Sequence, residues 1–245
     1  MTPRRHISRH ILLDPNFNEI ILSAIKDAHE PKILVTGFGQ FLNIKTNPSW
    51  EIASLLPSTV DGVRIIVPPE PLKAEYHSLL EITKLLDEHQ PDVVIHIGLA
   101  ADRDYFAIER GADRDGYHQI PDEKRKVFTR AETKKVWGKS PARLDTTLDV
   151  EEILGRWKEN LASGAAKSKG KEKPKPVDVR TSDDVGNYVC GFVYYTSMEW
   201  FWRKYGAQGE RRVLFFHVPK QEGGFEQGKD VTIALIKGVI GSCGL

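Results

Sequence analysis

Two residues late in the chain have the types and setting for acyl-transfer chemistry. Cys190 opens the stretch G-N-Y-V-C-G-F-V-Y-Y-T-S-M-E-W (186–200), and His217 follows in F-F-H-V-P (215–219). A free thiol is mostly protonated near neutral pH, so a cysteine nucleophile needs an imidazole or a helix N-terminus nearby. Gly186 and Asn187 are poor helix-interior residues, and the sequence after them reads as a helix, which puts Cys190 in its first turn. Backbone N–H groups there favour a thiolate and can hold an oxyanion. The run 213–216 reads as a buried strand, so His217 stands at its carboxyl end, where sites collect in open α/β sheets. The alternative on local sequence is a small buried cysteine and a hydrogen-bonded core histidine.

The elements that must position these two residues alternate along the chain. After an N-terminal extension (1–31), Lys32–Phe38 reads as a first buried strand, and Asn47-Pro48-Ser49 caps and starts a helix through Leu56. A strand over 63–67, an amphipathic helix over about 72–89 and a strand over 92–99 follow. Near-continuous apolar strands alternating with helices predict a mostly parallel sheet covered on both faces, a three-layer α/β/α sandwich. Residues 105–143 are rich in turn signals and read as irregular structure with short strands, the character of an active-site loop. A helix over 151–161 precedes a basic low-complexity insertion (163–176), which predicts disorder and not nucleic-acid binding, since no aromatic residue interleaves its lysines. A strand over 177–180, a helix over 188–205, the strand ending at His217 and a helix over 229–240 complete a single domain from 32 to 245.

Whole-chain properties exclude several classes. Lys plus Arg number 35 against 34 Asp plus Glu, so no overall field draws nucleic acid or an anionic membrane. Two cysteines, Cys190 and Cys243, are too few for a disulfide framework and offer no metal-ligand spacing, so no metal or other cofactor is expected and the cytoplasm is the natural compartment. The N-terminus carries arginines but no sustained apolar run, unlike a secretory signal or a membrane span, although Arg4, Arg5 and Arg9 leave a transit peptide open. Oligomeric state is not legible.

Other residues have competing readings. The turn T-G-F-G-Q-F (36–41) lacks the third glycine of a dinucleotide fingerprint but presents Phe38 and Phe41 at a strand end, as pocket lining or as core. Glu109 can orient the far nitrogen of His217, or can be a surface carboxylate paired with Arg103 or Arg110; the local sequence favours the surface pair. Asp92 and His96 read as capping and core residues.

Taken in order, V-T-G-F-G-Q-F (35–41), N-P-S-W (47–50), Q-P-D-V-V-I-H-I-G-L (90–99), Arg103 with I-E-R-G-A (108–112), I-P-D (120–122), G-N-Y-V-C (186–190) and F-H-V-P (216–219) resemble the pyroglutamyl peptidase I family of cysteine peptidases. The resemblance runs from about Lys32 to near the C-terminus. It implies a three-layer α/β/α fold and removal of an N-terminal pyroglutamate from peptide substrates. It implies Cys190 as nucleophile, His217 as base and then acid, and Glu109 as orienting carboxylate. Phe38, Phe41 and Tyr188 would enclose the lactam ring, and backbone groups near Phe41 and Val189 would read its amide edge. The sequence departs from the family pattern at Gln119, where an arginine is usual, at Gly191, where an asparagine is usual, and at Arg114. Those departures keep two rival readings in view: a weak or silent relative that binds blocked N-termini or a protein partner, and a hydrolase of another small amide.

Overall fold

Strand β1 (Lys32–Gly37) lies near the middle of a seven-stranded sheet ordered β2-β3-β1-β4-β9-β5-β8. The structure, a computed structural model, describes residues 29–42, 44–167 and 176–245, and the compact unit that carries every element below runs from Pro31 to Leu245. The other strands are β2 (Thr59–Val60), β3 (Val63–Ile66), β4 (Val93–Leu99), β5 (Phe106–Glu109), β8 (Val179–Ser182) and β9 (Val213–Val218). Strands β3, β1, β4 and β9 run parallel, β5 joins β9 antiparallel, and β8 runs parallel to β5. A separate ribbon pairs β6 (Gly111–Asp113) with β7 (Arg143–Asp145).

Strand alternation divides the core into two apolar layers. Ile33, Val35, Ile95, Ile97, Leu214 and Phe216 face a layer that includes residues of α1 (Pro48–Ser54), α5 (Val150–Lys167) and α7 (Glu226–Cys243). Leu34, Val94, Val213 and Phe215 face the other layer, with α2 (Tyr76–Leu79), α3 (Ile82–His89), α4 (Arg130–Trp137) and α6 (Val189–Tyr205). The expected mostly parallel three-layer α/β/α arrangement is therefore present.

Several elements differ from the sequence reading. The single helix expected over about 72–89 is two short helices, because Leu72 stays extended: its N–H donates to Gly37 O at 2.8 Å and its carbonyl accepts from Gly39 N–H at 3.0 Å. The first of these helices is held at its start by the distant Asp122, whose Oδ2 accepts from Tyr76 N–H at 3.1 Å. The stretch expected to be irregular with short strands does hold the short strands β5 and β6, but it also forms the helix α4, whose Thr129–Glu132 capping box closes both ends of its first turn. Helix α5 continues to Lys167, past the expected end at Leu161, so the basic run from Ser163 begins inside a helix. Residues 1–28 of the expected extension and 168–175 of the insertion lie outside the described residues.

His96 ties the nucleophile's helix to the sheet. It is fully buried in β4, with Nδ1 against Thr36 Oγ1 at 2.7 Å and Nε2 against Ser197 Oγ at 2.8 Å. Ser197 lies two turns beyond Cys190 on α6, so this chain of side chains sets that helix's position over β1 and β4. The core reading of His96 holds. Burial lowers its pKa from 6.5 to about 3, so the folded state keeps it neutral while the unfolded chain takes up a proton. The unfolded state thus binds more protons between those two values, and stability present above about pH 6.5 is lost as pH falls toward 3. Denaturant titrations across this range are expected to show His96 supplying on the order of 4 kcal/mol of the acid destabilisation, and His96→Asn to flatten that slope; an unchanged slope would contradict it.

Candidate active site

Cys190 is the second residue of α6, which begins after Gly186 (φ +79°), Asn187 and the extended N-cap Tyr188. A glycine at 186 permits the left-handed turn that aims the chain into the helix. First-turn N–H groups have no intrahelical acceptor, so those of Val189, Cys190 and Gly191 point toward the space before the helix. The sulfur packs over Gly98 in β4, whose Cα is the direct ladder partner of His217 in β9. A methyl group on Gly98 would stand 3.1 Å from Cys190 Sγ and 2.6 Å from Phe215 Cζ. Gly98 is thus the vacancy in the sheet face that lets the thiol approach the imidazole's strand.

Glu109 ends β5, and the antiparallel pairing Ala107↔His217 and Glu109↔Phe215 sets its carboxylate diagonal to His217 on the same face. Glu109 is fully buried, and its Oε1 accepts from His217 Nδ1 at 2.7 Å and from Arg103 Nη1 at 2.8 Å. Of the three partners considered for Glu109 from sequence, His217 and Arg103 meet it, while the surface setting does not hold. Arg110 turns away to Glu151 and Thr181. Burial alone would push the Glu109 carboxyl up; the hydrogen bonds from His217 and Arg103, with the Ser182 side chain nearby, outweigh it and hold the group below its ordinary value. An ionised carboxylate fixes the proton on His217 Nδ1 and leaves Nε2 as the basic nitrogen.

Cys190 is partly buried, and no hydrogen bond links its sulfur to His217 in this state. Burial and the neighbouring Glu109 charge push the thiol up to about 12, with Arg103 pulling the other way. The resting sulfur is therefore a neutral thiol that needs a base to ionise.

Phe38, Phe41, Tyr188, Val189 and Cys190 line one cavity of about 110 Å³, together with residues the sequence reading had not singled out, among them Asn47, Ala74 and Leu99. A benzene-sized cavity is about 150 Å³, so the space suits one small ring. Phe41 and Tyr188 are tilted at 5.6 Å between ring centres, and Tyr76 backs Tyr188 edge-on at 6.0 Å. Asn47 ties the walls together: Oδ1 caps α1 through Ser49 N–H, and Nδ2 donates to Gly39 O at 2.9 Å. Phe41 N–H is already donated to Ile44 O at 3.1 Å, which leaves the Val189 end as the better source of a free backbone donor.

The three departures fall in different places. Gln119 is exposed and accepts from Asn187 Nδ2 at 2.9 Å, bridging two loops in front of α6. Gly191 is buried, and a Cβ there would stand 2.1 Å from Gly186 O, so asparagine does not fit this backbone. Arg114 is occupied by Asp115 and the Ser140 carbonyl at the β6–β7 ribbon. Among the described residues no cluster of three or more His, Cys, Asp and Glu is placed to share a metal ion, and no helix is long and apolar enough to cross a membrane.

A helix-start cysteine, a strand-end histidine and a buried glutamate beside a small aromatic cavity make an arrangement suited to a cysteine peptidase. Residues 31–222 match the family described as pyroglutamyl peptidase, and the chain belongs to that family. It is 31% identical over 189 residues to the pyrrolidone-carboxylate peptidase of Thermosipho melanesiensis, covering 77% of this chain and 82% of the relative. Identity is 30% to the enzyme of that name from Deinococcus radiodurans, over 77% of this chain and 78% of the relative. Among solved structures, the pyrrolidone carboxyl peptidase of Thermus thermophilus superposes with a TM-score of 0.63 at 26% identity, covering 86% of this chain and 99% of that one.

Gly98→Ala tests the packing of the nucleophile. The substitution is expected to lower kcat about 100-fold by displacing the sulfur, with the melting temperature falling only modestly. Wild-type turnover in Gly98→Ala would show that the close approach is irrelevant.

Proposed function

We propose that this chain is a cysteine exopeptidase, an omega peptidase that hydrolyses the amide bond after an N-terminal pyroglutamyl residue, with Cys190, His217 and Glu109 as its reacting and orienting groups. The observation that carries the reading is the continuity of the site. Buried Glu109 holds His217 by Nδ1, His217 shares a ladder rung with Gly98, and Gly98 supports the Cys190 sulfur at the wall of the aromatic cavity.

With the lactam ring held by Phe38, Phe41 and Tyr188, the pyroglutamyl carbonyl carbon reaches the sulfur. Cys190 gives its proton to His217 Nε2 as the S–C bond forms, and the first-turn amides of α6 receive the oxyanion. The imidazolium, held by ionised Glu109, then returns the proton to the leaving amine. Water, deprotonated by the same nitrogen, attacks the thioester and releases free pyroglutamate and the thiol. A small enclosed cavity selects by what it leaves unpaired: the lactam N–H and C=O find partners, whereas proline lacks the ring carbonyl and brings a charged amine in place of the lactam N–H, so it loses that binding energy. The substrates are peptides with a blocked N-terminus, read by their first residue. Both cysteines are free thiols, and a thiol nucleophile works only when reduced, which favours the cytoplasm.

The test is release of a fluorescent amine from a pyroglutamyl amide by purified protein, with the prolyl amide as control. The wild type is expected to cleave the first and not the second, free pyroglutamate to compete, and Cys190→Ala to lose turnover by at least about 1000-fold. Cleavage that survives in Cys190→Ala would overturn the reading.

A further inference from the structure

Arg103 lies between β4 and β5, outside the cysteine, histidine and glutamate set, with its side chain only 14% exposed. Its Nη1 donates at 2.8 Å to the same Glu109 oxygen that accepts from His217, and its Nη2 donates at 2.6 Å to the Asp184 carbonyl, in the loop leading to the nucleophile's helix. Glu109 Oε2, also buried, has no hydrogen-bond partner among the described residues. Two donors thus converge on one oxygen, and the buried carboxylate depends on them for its charge.

We infer that Arg103 is a positioning residue of the reaction: it fixes Glu109 for His217 and supplies the positive charge that makes proton transfer from Cys190 to His217 attainable inside a buried site. The inference rests on the proposed roles of Cys190 and His217. In that transfer the S–H bond breaks and an N–H bond forms on His217 Nε2, with no other reactant. Glu109 and Arg103 cancel before the transfer, and the thiolate and imidazolium cancel each other after it, so the site stays neutral throughout. Without Arg103 the site carries a net negative charge before and after the step in a poorly solvated place, and nothing offsets the repulsion between Glu109 and the new thiolate except the imidazolium itself.

The groups that act on Cys190 are Glu109 on β5, Arg103 before it, Tyr76 on α2 and Tyr188 at the N-cap of α6, with His217 on the β9 rung beside Gly98. Burial raises both phenols, that of Tyr188 to about 12, so neither contributes charge at neutral pH. Glu109 and Arg103 are left as the fixed charges acting on the sulfur, with opposite signs.

The experiment measures iodoacetamide alkylation of Cys190, resolved by mass spectrometry of its peptide, from about pH 7 to about pH 10, with Cys243 as an internal reference for the intact fold. Arg103→Met is expected to slow Cys190 about tenfold at each pH, equivalent to about one pH unit in the thiol. Arg103→Lys is expected to retain most of the wild-type rate, and Glu109→Gln, which also removes the carboxylate that holds the imidazole, serves as the background for a second comparison. If Arg103→Met does not fold, the charge-neutral double variant is compared with Glu109→Gln alone, and Arg103 loss must still slow the sulfur. Equal rates in either comparison would overturn the inference. The readout needs no turnover, so a wild type inactive on pyroglutamyl amides would contradict the proposed function while the alkylation rates still decide the role of Arg103.

Discussion

The site depends on one buried carboxylate. Glu109 is fully inaccessible, yet its oxygen accepts from both His217 and Arg103. Removing a charge of this size from water costs several kcal/mol, which only good partners offset. The sheet supplies them by geometry. Strand β5 enters antiparallel beside β9, and that reversal brings its last residue diagonal to the histidine. A parallel strand here would present a different register and face. The antiparallel entry of β5 into a mostly parallel sheet is therefore a requirement of the site.

The same economy governs the nucleophile. A helix that begins against a sheet needs space for its first side chains, and α6 obtains it from Gly98 below and Gly186 before. Gly191 extends the pattern, because any Cβ there would strike the Gly186 carbonyl. The residue that departs from the family pattern is thus matched to this chain's own turn. Gln119, likewise, bonds to Asn187 and joins the loop before α6 to the neighbouring one. The positive charge near the sulfur comes from Arg103, which shares the Glu109 carboxylate oxygen with His217.

Much of this was legible in the sequence, for identifiable reasons. Strand ends announce themselves when apolar runs stop, so His217 and Phe38 were located without a structure. The start of α6 was marked by Gly186 and Asn187, and that of α1 by Asn47 and Pro48. Glu109 was not settled by local reading, because charged neighbours at 103, 104 and 110 give it the look of a surface residue and antiparallel insertion of a four-residue strand leaves no periodic signal. Gly98 did carry a signal, a glycine interrupting a continuous apolar strand, which implies a close approach by something else. Helix α4 carried one too, in the Thr129–Glu132 spacing, but with only Thr133 and Trp137 buried its apolar pattern was too sparse to read. The late start of the helical stretch at Tyr76 depended on the pairing of Leu72 with Gly37 and Gly39 and on Asp122, contacts between residues far apart in the chain.

The central claim is that ionised Glu109 fixes the His217 tautomer through Nδ1, which leaves Nε2 as the nitrogen free to take a proton. Nitrogen-15 NMR of the imidazole addresses it directly. The neutral ring is predicted to carry its proton on Nδ1, with Nε2 bare, and to lose that preference in Glu109→Gln. A neutral ring with its proton on Nε2 would contradict it.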